Sequence, residues 1–291
     1  MSTTQIELQL IAAVVAAACA LPGVFLVLRQ MAMMSDAISH TVLLGIVLMF
    51  FVVGSLDSPL LIAGAAATGL ITVMLVELLG RTKLVKYDAA IGLVFPALFS
   101  IAVILISRYA GGIHLDTDSV LLGELAFAPF DRLTVLGISA PRALWVMGVI
   151  GLLNLVLILL FYKELKLATF DAGLAAAMGF SPALIHYGLM AMVSITAVGA
   201  FDAVGSILLV AFMVTPAASA YLLTDELKKM LGIAVAIGVI SAIGGYWIAH
   251  WVDVNIAGAM ATMTGVTFLI TLLFAPNRGL LAVWRRRERQ R

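Results

Sequence analysis

Stretches of about twenty mostly apolar residues, each long enough to cross a hydrocarbon core as a helix, recur along this chain from one end to the other. Nine can be marked: Leu8–Leu28, Ala32–Gly54, Leu60–Leu79, Ala89–Ile106, Leu144–Tyr162, Ala183–Ala200, Ala203–Leu223, Met230–His250 and Ile256–Phe274. Of the 291 residues 63% are hydrophobic and only 11% charged, with mean hydropathy +1.16. A water-soluble fold of this size has nowhere to hide so much apolar surface. The bilayer is therefore the solvent, and the expected fold is an all-α polytopic membrane protein. Only Phe201 and Asp202 separate the sixth and seventh stretches, so eight spans with a re-entrant segment near Asp202 is the alternative.

The charges orient the spans. Arg29 follows the first, and Arg81, Lys83 and Lys86 the third. Lys163 and Lys166 follow the fifth, Lys228 and Lys229 the seventh. Arg278 and the run Arg285, Arg286, Arg287, Arg289 and Arg291 follow the ninth. The segments after even-numbered spans, such as 55–59 and 251–255, are poor in Lys and Arg. The positive-inside rule puts the N-terminus outside and the C-terminus in the cytoplasm. The first nine residues hold no Lys or Arg, which argues against a cleavable signal peptide. A net charge of +1 gives no case for nucleic-acid binding. The single cysteine, Cys19, allows neither an intrachain disulfide nor a thiolate metal cluster.

Two connections are long enough to carry structure: an outer one over about 108–142 and an inner one over about 163–182. The outer one contains His114, Asp116, Asp118, Glu124 and Asp131. The inner one reads as a short amphipathic helix, Phe170 to Met178, ended by Gly179 and followed by Pro182. Such a helix is either a surface turn or a docking element for a soluble partner.

The strongest chemical signal is Ser35-Asp36-Ala37-Ile38-Ser39-His40, in the second span. Asp36 and His40 are four apart and share a helix face. A carboxylate at that depth costs about 2.5–3.5 kcal/mol, so it is expected to face a pathway or a partner. One carboxylate and one imidazole suit a divalent first-row metal such as Mn, Fe or Zn. The competing structural reading has Asp36 bonding His40 or a neighbouring helix. Met33 and Ser39 flank the pair as weaker pathway candidates, and Asp202 is another, unless it is a wet loop residue. Glu77 pairs most simply with Arg81, and Asn154 with a neighbouring helix. His186 and His250 sit at span ends, where interfacial residues are ordinary. Pro216, after Thr215, removes a backbone donor in mid-span and is expected to kink the helix, a candidate gate. No Gly-x-x-x-x-Gly-Lys-[Ser/Thr] loop occurs, so any ATP chemistry belongs to a separate subunit. His-Glu-x-x-His and Gly-x-Ser-x-Gly are also absent, which leaves an intramembrane enzyme little support.

Four segments carry a family resemblance: Met34–Gly45, His114–Glu124, Phe170–Gly179 and Leu209–Ala218. With them the chain resembles the permease subunits of the manganese/zinc/iron ABC importers. The resemblance implies a type II ABC importer-like permease: one transmembrane domain over 1–291, in the bacterial inner membrane. It implies a second permease chain, copy or paralogue, an ATP-binding subunit, and an extracytoplasmic metal-binding protein. It places Asp36 and His40 on the path of transported Mn2+, Zn2+ or Fe2+. It places ATPase coupling on Phe170, Asp171, Ala172, Gly173, Met178 and Gly179. Where the family commonly has Pro in His-x-x-Leu-Pro-Gly, this chain has Leu44. An ion-coupled secondary transporter, with Asp36 as proton or sodium site, is the competing class; such folds often show inverted repeats, and no convincing repeat is found.

Overall fold

The structure is a computed structural model that describes residues 2–54, 58, 60–109, 125–135, 137–276 and 278–282. His114, Asp116, Asp118, Glu124 and the arginine run of the tail lie outside the described residues, as does the His114–Glu124 segment of the resemblance. The helices are α1 (Thr3–Leu28), α2 (Ala32–Val53), α3 (Leu60–Arg81) and α4 (Tyr87–Tyr109). After a two-stranded hairpin, β1 (Arg132–Val135) and β2 (Ile138–Pro141), come α5 (Arg142–Leu160), α6 (Tyr162–Phe170) and α7 (Ala172–Ala177). The chain closes with α8 (Pro182–Leu223), α9 (Leu227–Val252) and α10 (Ile256–Phe274).

Eight of these helices are long and apolar enough to cross a membrane. One of them, α8, crosses it twice. It contains 42 residues. A straight helix of that size would measure about 63 Å, roughly double a bilayer's hydrocarbon core. Near its start, His186 meets Arg29, which also holds Thr169 of α6. Just past its end, Lys228 lies over the Tyr162 ring of α6, 5.6 Å from its centroid. Both ends of α8 are therefore at the α6 end of the bundle. Asp202, by contrast, lies within electrostatic reach of Arg142 and Asp131, at the far end of α5. The chain turns back at Gly205, with φ 78° and ψ 173°. That backbone region is open in practice to glycine alone. Nine crossings result among the described residues, and the reversal sits just beyond Asp202.

Most of the basic residues collect at one end. Arg29, Lys163, Lys166, Lys228, Lys229 and Arg278 share it, with Arg278 bonded to Asp225 and stacked 4.4 Å over Tyr221. The opposite end carries Glu7, bonded through both carboxylate oxygens to Arg132 of β1 at 3.1 Å. By the positive-inside rule the first end is cytoplasmic.

The most buried span, α1, packs against α5, α8 and α9. A Cβ on Gly23 would stand 1.9 Å from the Met213 carbonyl oxygen. Only glycine lets α1 and α8 approach this closely. Asn154 of α5 donates to the Ala18 carbonyl at 3.2 Å and to Thr196 Oγ1 at 2.7 Å, an interhelical bond as expected. His250 stacks on Tyr246 beside Trp247, an aromatic cluster at the outer end of α9.

One local expectation needs correcting. The inner connection is not one helix from Phe170 to Met178. Phe170 ends α6, and Asp171 breaks the chain and caps α7. The Asp171 carboxylate accepts from the Leu174 amide at 2.8 Å. Within α8 the residue with non-helical dihedrals is Gly205, and Pro216 keeps helical ones. Near it the Ser219 hydroxyl donates to the Thr215 carbonyl at 2.9 Å. The outer connection holds a β-hairpin, paired from Arg132↔Pro141 to Val135↔Ile138, that hydropathy did not reveal.

Candidate functional site

The α1–α2 corner sets the depth of the Asp36–His40 pair. Helix α1 ends with Gln30 in the left-handed region, φ 58°. Two capping bonds close it: Gln30 N to Val27 O, and Met31 N to Leu26 O. Helix α2 starts again at Ala32 and runs unbroken past Leu44. Asp36 thus falls in the second turn and His40 near mid-helix.

His40 Nε2 stands 3.4 Å from Asp36 Oδ1. Both side chains are partly open, 25% and 33% exposed, while their neighbours Ser35, Ala37, Ile38 and Ser39 are buried. Met33, 55% exposed, lies one turn earlier on the same open face. Ser39 does not share it: the side chain is fully buried, and its hydroxyl donates to the Asp36 carbonyl at 2.7 Å. That bond satisfies the hydroxyl within the helix and removes Ser39 from the face that could meet an ion.

Two residues not singled out from the sequence complete the setting. The His40 ring stacks on Phe95, centroids 5.6 Å apart and 25° from parallel, and meets Phe99 edge-on at 5.9 Å. Both belong to α4, one on each side of Pro96. Next to the pair, buried Thr41 and Thr72 bond across α2 and α3 at 2.8 Å. The imidazole is thus held by a ring face on one side and its own helix on the other.

Donors on bonds of ~2.1 Å stand about 3.0 Å apart at octahedral angles and about 3.4 Å at tetrahedral ones. The pair already has that spacing. Among the described residues no third His, Cys, Asp or Glu joins it. Asp202 is not brought near: it is exposed, at the outer end beside Arg142 and Asp131. One chain thus offers two donors on an open face, which suits brief capture better than tight storage.

At the cytoplasmic end, Glu77 does pair with Arg81, at 3.6 Å, but has closer partners. His186 Nε2 lies 2.5 Å from one of its oxygens, and the Tyr187 hydroxyl donates to the other at 2.6 Å. No local pattern announces this cluster, because Glu77 sits on α3 and its two closest partners on α8. Phe170 at the end of α6, Leu174 on α7 and Met178 just after α7 have exposed side chains.

The ABC 3 transport family matches residues 3–275. The chain belongs to that family. It is 51% identical to the manganese transport system membrane protein MntD of Bacillus subtilis, over 92% of this chain and 90% of that one. It is 54% identical to the zinc transport system membrane protein TroD of Treponema pallidum, over 94% and 75% respectively. The solved structure of PsaBC from Streptococcus pneumoniae in complex with Fab superposes with a TM-score of 0.80 at 29% identity, covering 97% of this chain and 96% of that one. The chain is therefore a membrane permease subunit of an ABC transport system, not an enzyme, and a multi-pass protein of the bacterial inner membrane.

Proposed function

We propose that this chain forms the membrane pathway of an importer for a divalent transition-metal ion, with manganese favoured over zinc and iron. The observation that carries the reading is the Asp36–His40 pair, 3.4 Å apart on the open face of α2. A carboxylate within the membrane is functional by default, and this one has an imidazole at ligand spacing. The named relatives support the ion class: manganese for MntD, zinc for TroD, and chelated iron for YfeC of Yersinia pestis at 32% identity.

Two permease chains, copies or paralogues, enclose the pathway between them, so that the second chain faces the open side of α2. Asp36 meets the ion's charge and His40 supplies nitrogen, with Met33 at the cytoplasmic side of the pair. Water or the second chain completes the coordination. An extracytoplasmic metal-binding protein delivers the ion to the outer face. A separate ATP-binding subunit docks against the exposed Phe170, Leu174 and Met178, with Asp171, Ala172, Gly173 and Gly179 shaping the segment. ATP binding there tilts the helices and exposes the pair to each side in turn. Gly205 and the stretch around Thr215 and Pro216 are where α8 can flex.

The test is uptake of radioactive manganese and zinc in cells carrying the complete system, comparing wild type with Asp36→Ala and His40→Ala at matched expression. Loss of uptake in both variants, with assembly intact, is the expected result. Survival of uptake in both overturns the site.

A further inference from the structure

We propose that Arg29 mechanically links the segment that meets the ATPase to the helix that carries the metal donors. Arg29 is the C-terminal cap of α1, just before α2 begins at Ala32. Its Nε donates to Thr169 Oγ1 at 3.1 Å, and its Nη1 lies 3.4 Å from His186 Nδ1. Thr169 is close before Asp171, the cap of α7. His186 in turn reaches Glu77, which also holds Tyr187 and Arg81. One half-buried guanidinium thus joins α6, α8 and, through Glu77, α3 to the α1–α2 corner.

The link is stiff at both ends. On one side Gln30 and Met31 close the corner with two backbone bonds, leaving little slack before Ala32. On the other, Thr169 is within α6, which runs directly to the Asp171 break. The third guanidinium nitrogen, Nη2, is buried with no partner among the described residues. A half-buried cation with one buried donor nitrogen already unmet tolerates further loss badly. If α6 and α7 shift by more than a hydrogen-bond length, Arg29 either follows them or is stranded. By following, it moves the start of α2, where Asp36 sits in the second turn. Arg29 and Thr169 are then positioning residues: they touch no ion, and act through α2.

This inference rests on the importer reading. The test uses the complete complex, with its ATPase and metal-binding subunits, in proteoliposomes. Manganese uptake and ATP hydrolysis are measured on the same preparation for wild type, Arg29→Lys, Arg29→Gln and Thr169→Val. The expected result is that manganese moved per ATP falls about tenfold in Arg29→Gln and less in Thr169→Val, with hydrolysis near the wild-type rate. Arg29→Lys, which keeps charge but not the forked geometry, falls between wild type and Arg29→Gln. Thr169→Val keeps the side-chain volume and guards against simple misfolding of the Arg29 variants. An unchanged ratio in Thr169→Val and Arg29→Gln, or uptake and hydrolysis falling in parallel, overturns the link. Failure of wild type itself to accumulate manganese, zinc or iron on ATP overturns the importer reading instead.

Discussion

His40 lies against Phe95 with ring centroids 5.6 Å apart and planes 25° from parallel, so α4 sets the orientation of an imidazole carried by α2. A stacked pair of this kind contributes ~1 kcal/mol beyond its buried area. Phe95→Leu keeps an apolar contact but loses the stack. Its half-saturating manganese concentration for uptake is expected to rise about fivefold, with expression unchanged. A variant indistinguishable from wild type would show that His40 needs no support from α4.

Gly205 permits the reversal of α8 through its φ of 78° and ψ of 173°. Alanine in that region is strained by about 1–3 kcal/mol. Gly205→Ala is expected to lower the thermal midpoint in detergent by several degrees. Gly232→Ala is the control, because a Cβ there meets nothing within 4 Å. It should leave the midpoint unchanged or raise it slightly, since alanine favours helix.

Asn154 bridges α5 to α1 and α8 through two bonds. Asn154→Ala removes both, while Thr196 keeps its own bond to the Met192 carbonyl at 2.7 Å. The expected destabilisation is about 1 kcal/mol, read as a small drop in unfolding temperature. A loss several times larger would mean that the bond carries a functional conformation as well as packing.

The exposed side chains of Phe170, Leu174 and Met178 make the 170–178 segment apolar on the cytoplasmic side. Leu174→Glu puts a charge in its centre and should abolish co-purification of the ATPase subunit while leaving membrane insertion normal. Retention of the ATPase would move the docking surface elsewhere.

Much of this architecture is legible in the sequence because the bilayer enforces it. Each span needs its own apolar run, and Lys and Arg mark the cytoplasmic ends. The reversal expected near Asp202 accordingly falls close by, at Gly205. The Asp36–His40 pair is legible because both members lie on one helix, where spacing alone fixes the face. Contacts between distant segments are not. Nothing local distinguishes Phe95 from any other lipid-compatible aromatic, or ties Arg29 to Thr169. The hairpin at 132–141 escapes because such short strands leave too little alternation to stand out beside long apolar helices. The split at Asp171 escapes because capping and helix continuation compete within a few residues.

The central claim is that Asp36 meets the ion during ATP-driven transport. It is tested most directly by manganese accumulation in proteoliposomes holding the complete complex, with Asp36→Asn beside wild type. Asparagine keeps the shape and removes the charge. The account predicts that accumulation requires ATP in wild type and falls at least about tenfold in Asp36→Asn, with the complex intact and still hydrolysing ATP. Uptake by Asp36→Asn at the wild-type rate, or wild-type uptake driven by an ion gradient without ATP, would contradict it.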